Sequence, residues 1–262
     1  MTAVLVLAGV VWREMLRKKD LYVLALLLVA LTLLLLTVDT FGAKNVSRYL
    51  LDLGLLLIWL LSIVLAVTFT ARQIPEEEKR GTVFPLLAKP VSRWQLILGK
   101  WLGCWTASVS ATILFFVFLL AVVYLRGGEV DGLALIQCAA LYAVLLGVIA
   151  AITLALSARM TYGAAATTSF VLQGAVFMLV PRIPTLVGYE QGLRRSALMV
   201  LYYLLPHYEL FDMRRRLVHE WGAIPWSAFG LIVVYGIVLT AFFLLLGWAA
   251  YRRKLFRRGE AL

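Results

Sequence analysis

Long apolar runs alternate with short charged ones along almost the whole chain. A helix needs about 20 apolar residues to cross the hydrocarbon of a bilayer. Six stretches meet or approach that length: 21–38, 53–71, 101–125, 133–158, 160–180 and 226–251. The last apolar run opens at Trp221, but Pro225 suits a first helical turn and sets the start of the span near Trp226. The alternation over about ten residues that marks barrel strands is absent. The pattern therefore predicts an all-α integral membrane protein, with six transmembrane helices in a single domain over 1–262.

Two further segments have a helical pattern without the length to span. Residues 4–19 begin apolar and then place Arg13, Glu14 and Arg17 at helical spacing, which suits an amino-terminal interfacial helix. Between the fifth and sixth spans, "SALMVLYYLLP" is apolar but short. A segment of that length reads as re-entrant or interfacial, so 196–205 is expected to enter and leave the membrane on one side.

The loop 72–100 has the densest mixture of charge, glycine and proline, "IPEEEKRGTVFPLLAKPVSRWQLILGKW". Pro75 fits a first helical turn, and Glu76, Glu77 and Glu78 favour the positive amino end of a helix. Gly81 breaks that helix. Thr82 can cap a second short one, with Pro85 in its first turn and Pro90 beyond its end. Ser92-Arg93-Trp94-Gln95 has the S-x-x-Q form of a capping box and starts the third span. The short helix cannot bury Val83, Phe84, Leu86 and Leu87 within itself, and an apolar cluster rimmed by charge marks an interaction site.

Composition adds that lipid is the main solvent: 63% of the 262 residues are hydrophobic and 15% charged, against about 25% charged in soluble domains. The net charge of +11 could suggest nucleic acid, but in such a chain basic residues flank spans and face anionic lipid. Arg13, Arg17, Lys18 and Lys19, the 72–100 loop, and the tail from Arg252 to Arg258 are all basic. The positive-inside rule places all three in the cytoplasm, with both termini inside the cell (inner) membrane. The outer loop 181–225 is also basic but long, and long loops obey the rule poorly. Cys104 and Cys138 lie in apolar runs and read as buried hydrophobes. The amino end lacks the basic start and small-residue cleavage site of a secretory signal.

The charged loop resembles the cytoplasmic signature of ABC-2 type transporter permeases. That pattern runs acidic–x–x–x–Gly-Thr, a Leu-Leu pair, Pro-(Val/Leu)-Ser-Arg, then Gly-Lys at the third span. Glu77, Gly81, Thr82, Leu86, Leu87, Pro90, Ser92, Arg93, Gly99 and Lys100 match it; Pro85 departs from it. The span count, the amino-terminal helix and the segment before the last span extend the resemblance over the whole chain. It implies a coupling helix that docks on a separate ABC ATPase, with Glu77, Gly81, Thr82, Val83, Phe84, Leu86, Leu87, Pro90 and Arg93 as contacts. It also implies a second permease copy, as homo- or heterodimer, with two ATPase copies. No G-x-x-x-x-G-K-[ST] loop occurs in the chain. No cofactor is therefore expected here, and ATP and Mg are expected in the partner.

Other chemistry is less favoured. An intramembrane serine protease needs a Ser/His pair among the spans, and both histidines, His207 and His219, lie in the outer loop. A D-G-x-x-A-R lipid phosphotransferase fails because "LALIQ" follows Asp131-Gly132. His207, Glu209, Asp212, His219 and Glu220 could gather on a metal, but their spacing matches no strong motif, and an interfacial helix with Arg214, Arg215 and Arg216 near headgroups accounts for them. Ion-coupled carriers usually keep charge in their spans. Here the polar span residues are Thr106, Ser108, Ser110, Thr112, Gln137, Thr153, Thr167, Thr168, Ser169 and Gln173, which suit helix packing. The expected function is an ATP-driven exporter subunit. A membrane subunit that couples ATP hydrolysis to assembly or extraction is the alternative, and a secondary carrier is third.

Overall fold

The computed structural model describes residues 2–17, 22, 26, 29, 46–79 and 92–252. Among these, regular structure is helical throughout, with no strand. The helices are α1 (Thr2–Arg17), α2 (Val46–Arg72), α3 (Pro75–Lys79), α4 (Arg93–Leu125), α5 (Gly132–Ser157), α6 (Tyr162–Leu179), α7 (Ile183–Tyr189), α8 (Leu193–Leu204), α9 (Arg214–Val218) and α10 (Trp226–Arg252). Short 3-10 turns occupy Val180–Arg182 and Tyr208–Phe211. Five segments are long and apolar enough to cross a membrane: Arg48–Lys79, Arg93–Leu125, Gly132–Ser157, Tyr162–Tyr189 and Trp226–Arg252. They correspond to the second to sixth expected spans. The first, at 21–38, lies outside the described residues apart from Tyr22, Leu26 and Val29.

Local chemistry sets the boundaries. Ser92 Oγ accepts from Gln95 N at 3.3 Å, while Ser92 N donates to Gln95 Oε1 at 3.0 Å. This complete capping box starts α4 eight residues before the apolar run, so the helix reaches 33 residues. Asp131 Oδ1 accepts from Leu133 N at 3.0 Å and opens α5. Pro181 has no N–H to give a continuous helix, and α6 passes through a 3-10 turn into α7 there.

α2, α4 and α5 form the centre, and their polar residues join neighbours. Thr112 Oγ1 donates to Ser62 Oγ at 2.8 Å between α4 and α2. Thr153 and Ser169 share a 2.6 Å bond between α5 and α6. Trp101 and Trp105 stack with centroids 5.3 Å apart and donate to Gly147 O and Ala143 O of α5. α10 packs on α5 through one stripe, Gly236, Thr240, Leu244, Gly247 and Tyr251. The hydroxyls thus serve helix packing, as expected, although Thr167 and Thr168 are exposed.

The amino-terminal helix forms, with one face docked lengthwise on α4. A Cβ added at Gly99 would lie 2.7 Å from Leu7 Cβ, and one at Gly103 2.7 Å from Val11 Cβ. Trp12 Nε1 donates to Thr106 Oγ1 at 2.8 Å. Gly99 and Gly103 are thus the small-xxx-small pair that lets two helix backbones approach. Gly103→Leu is expected to displace α1 and cost about 1–3 kcal/mol through overpacking. Gly9→Leu, at a position open for 4 Å, should leave the melting temperature of the detergent-solubilised protein unchanged. Equal melting temperatures for the two variants would contradict this seating.

The loop 181–225 buries residues that the sequence pattern did not single out for burial. The helix expected over 196–205 forms as α8, but α8 has no buried residue. The outer loop instead buries Tyr208, Phe211, Met213, Leu217 and Val218. Arg214 does not face headgroups beside Arg215: its side chain is turned inward, 15% exposed, and paired with Asp212. Four of the five residues considered for a metal, Asp212 among them, have other partners. His207 lies 3.3 Å from the Tyr235 hydroxyl through Nδ1, His219 stacks on Trp221, and Glu220 pairs with Arg48 at 2.6 Å.

Candidate functional site

The carboxyl-terminal ends of α2, α5 and α10 and the amino-terminal end of α4 converge on the two ends of the loop that the sequence singles out. α2 stops at Arg72, turns through Gln73 and Ile74, and resumes as α3, whose first turn carries Glu76, Glu77 and Glu78. This is the helix expected from Pro75 and the acidic run. Ile74 is buried against Leu96, Ile97, Ala151, Leu154, Leu244 and Tyr251, so the turn is fixed by an apolar cluster from α4, α5 and α10.

A buried cation joins the two sides of the loop. Lys100 lies two turns into α4 and is 1% exposed. Its Nζ meets Glu77 Oε2 at 2.7 Å and donates to Gln73 O at 2.7 Å. Burying an ammonium is costly unless it is paired, and here a carboxylate of α3 and a carbonyl of the α2–α3 turn accept two of its donors. Arg93, at the first position of α4, donates through Nη1 to Arg252 O at 2.6 Å and Tyr251 O at 3.3 Å. It thereby ties the first turn of α4 to the last described turn of α10. Arg159 Nε donates to Ala250 O at 3.1 Å. Trp94 and Trp248 meet edge to face at 6.2 Å, and Arg252 lies 5.4 Å over Trp248.

These contacts form a collar around the point where the chain leaves and re-enters the bundle. α3 is bound to α4 by an ion pair, and α4 to α10 by the hydrogen bonds of Arg93. The two ends of the loop are thereby tied to α4 and α10. Of the residues proposed as ATPase contacts, Glu77 and Arg93 belong to this collar, and their side-chain charges face the chain's own helices. Gly81, Thr82, Val83, Phe84, Leu86, Leu87 and Pro90 lie outside the described residues.

Lys100 and Gln73 were not singled out as a pair by sequence reasoning. Lys100 stood only as a match to a pattern, and its partner lies 27 positions away. The usable signal was a lysine one residue before a 25-residue uncharged run, since a charge there must find a partner. The Gly99–Gly103 pair was also legible as a G-x-x-x-G repeat.

A comparison with known families supports the reading of these elements. The family described as ABC-2 family transporter protein matches residues 5–254. No curated protein matches the chain. The family match takes in α1, the collar and every described span, and the chain accordingly belongs to the ABC-2 transporter family, whose membrane subunit is not itself the ATPase.

Proposed function

We propose that the chain is the permease subunit of an ATP-driven exporter in the inner membrane, with both termini cytoplasmic. Two permease copies work with two copies of a separate ABC ATPase, which holds the ATP and Mg. The observation that carries this reading is the collar. Lys100 and Arg93 tie the base of the 80–91 loop to α3, α4 and α10, as a loop that transmits force from a soluble partner requires. Within that loop, Thr82, Val83, Phe84, Leu86 and Leu87 supply the surface that docks on the ATPase, with Gly81 and Pro90 at its ends. The uncharged spans suit a hydrophobic or amphipathic cargo, because a charged one would need partners at the membrane midplane.

Co-expression with a P-loop ATPase subunit tests the assignment: the two should co-purify, and the permease should stimulate ATP hydrolysis. A permease that captures no ATPase and stimulates none would overturn it. Topology is tested separately, with Cys104 and Cys138 replaced by alanine. Lys79→Cys, at an exposed position of α3, should resist an impermeant thiol reagent in intact cells and react once they are permeabilised. Glu129→Cys, exposed in the α4–α5 turn, should react in intact cells. Labelling of position 79 from outside would reverse the orientation and exclude a cytoplasmic ATPase at this loop.

A further inference from the structure

Two charged side chains of the outer loop lie where a surface loop has no need to put them. Met213 and Arg214 share a small cavity with Trp59 of α2, Phe116 of α4, and Cys138 and Tyr142 of α5. These residues lie roughly one and a half to two and a half turns inside the outer ends of the apolar runs, about 8–14 Å along the helices at about 1.5 Å per residue. The rest of the segment is seated as deeply. Tyr208 donates its hydroxyl proton to Gln173 of α6. Phe211 stacks on Tyr235 of α10 at 6.1 Å, and a Cβ added at Gly236 would lie 3.0 Å from its ring. Residues 208–218 therefore form an insert that fills the outer mouth of the bundle.

The insert is held at its foot by charge. Arg214 Nε and Nη2 donate to Asp212 Oδ1 and Oδ2 at 2.9 and 2.7 Å. The guanidinium lies 4.8 Å over the Trp59 ring and 6.0 Å from the Phe177 ring, and the two rings are 4.2 Å apart. Burial pushes the Arg214 pKa down, but the bonds and charge of Asp212 outweigh it, so the pKa is raised and the cation persists. One guanidinium thus bridges the insert to α2 and α6 together. An ionised pair at this depth is costly and is kept for function more than for stability.

The fit of the insert is incomplete. Trp59 Nε1 and Gln173 Nε2, beside it on α2 and α6, are buried donors with no partner among the described residues. A permanent wedge would be expected to satisfy the groups it covers; one that withdraws gives them to water. The chain just beyond is anchored independently. Gln137 accepts from Ile224 N at 2.7 Å and donates to Ile224 O at 3.0 Å. Gly222, with φ +72°, lies between that anchor and the insert.

We propose that residues 208–218 are a displaceable plug at the outer outlet between α2 and α6, and that Arg214, paired with Asp212 on Trp59 and Phe177, is the residue that holds it shut. The second arm of the test rests on the exporter reading above; the first does not.

The test follows Met213, 3% exposed, as a Met213→Cys variant with Cys104 and Cys138 replaced by alanine. In the first arm the purified permease alone, in lipid nanodiscs, meets an impermeant maleimide. Met213→Cys should react at least tenfold more slowly than Glu129→Cys. Adding Arg214→Gln should raise its rate at least fivefold, while adding Arg215→Gln, at an exposed position, should not. Each variant must remain monodisperse and keep its melting transition, and Arg214→Lys, which retains the charge, should fall between. Continued protection in Arg214→Gln would overturn the latch. In the second arm, with Arg214 intact, the partner ATPase and ATP are added, and labelling of Met213→Cys should accelerate during hydrolysis. Protection that persists through ATP-driven turnover would overturn the plug as part of the outlet. Absence of any ATPase stimulation would instead count against the exporter reading and leave the first arm standing.

Discussion

Lys100→Met is expected to leave the permease inserted in the membrane and to reduce its stimulation of ATP hydrolysis at least roughly tenfold. The substitution keeps the length of the stem, so the buried site stays filled. It removes the bonds to Glu77 and Gln73, both 2.7 Å long. Breaking a fully buried ion pair costs about 3–5 kcal/mol. Glu77 is 25% exposed and recovers part of its hydration, so a cost of about 1.5–3 kcal/mol, the range for bonds to charged groups, is the better figure. That cost falls on one joint, between α3 and α4, and not on the helices themselves, which retain their backbone bonds and the apolar cluster around Ile74. The loop would then move without carrying α4. Lys100→Arg should be intermediate, because a guanidinium keeps the charge but is too wide for a site shaped around an ammonium. Glu77→Gln should resemble Lys100→Met, since Lys100 would stay buried with only neutral acceptors. Stimulation by the inserted Lys100→Met protein equal to that of the unaltered chain would sink the idea that this joint transmits force.

Much of this architecture was legible because lipid simplifies the code. Backbone groups in a bilayer must be satisfied within the segment, so a long apolar run can only be a helix. The spans at 133–158 and 226–251 were placed to within a residue or two of α5 and α10 for that reason. Ends with side-chain chemistry were also readable: Pro75 and the three glutamates open α3, and Ser92 with Gln95 opens α4. Contacts between distant segments were not. Nothing local to Arg93 says that it bonds the carbonyls of Tyr251 and Arg252, and nothing local to Lys100 points to the carbonyl of Gln73. Which part of the 181–225 loop packs against the spans was not legible for a related reason. Its most apolar piece, 196–205, forms a helix with no residue buried in the protein, while the more polar 208–218 packs into the helix bundle. There Asp212 pairs with Arg214, and Tyr208 pairs with Gln173. Hydropathy counts each charge as though it faced water, whereas a paired charge or bonded hydroxyl can be buried at much lower cost. A one-dimensional pattern therefore ranks an apolar surface helix above a satisfied polar insert.

The loop itself offers the second large expected effect. A Phe84→Asp, Leu87→Asp double variant should abolish co-purification with the ATPase subunit and its stimulation, while membrane insertion stays normal. Both residues fall in the stretch between the collar's two ends, and the resemblance to ABC-2 permeases places the docking surface there. A few central apolar anchors usually dominate such an interface, each costing about 2 kcal/mol or more on truncation. Introducing a carboxylate adds the cost of burying a charge without a partner, which exceeds that of the lost contact. Together the two changes should weaken association by several orders of magnitude, since each 1.4 kcal/mol or so is tenfold. The collar provides the control. Lys100→Met should still bind the ATPase but fail to stimulate it, because its defect lies behind the docking surface. Phe84→Asp, Leu87→Asp should fail at binding. Pull-down and ATPase assays on the same preparations separate the two outcomes. Full binding and stimulation by the inserted double variant would show that these side chains anchor the loop to the lipid interface, and the docking surface would then have to be sought elsewhere on the cytoplasmic side.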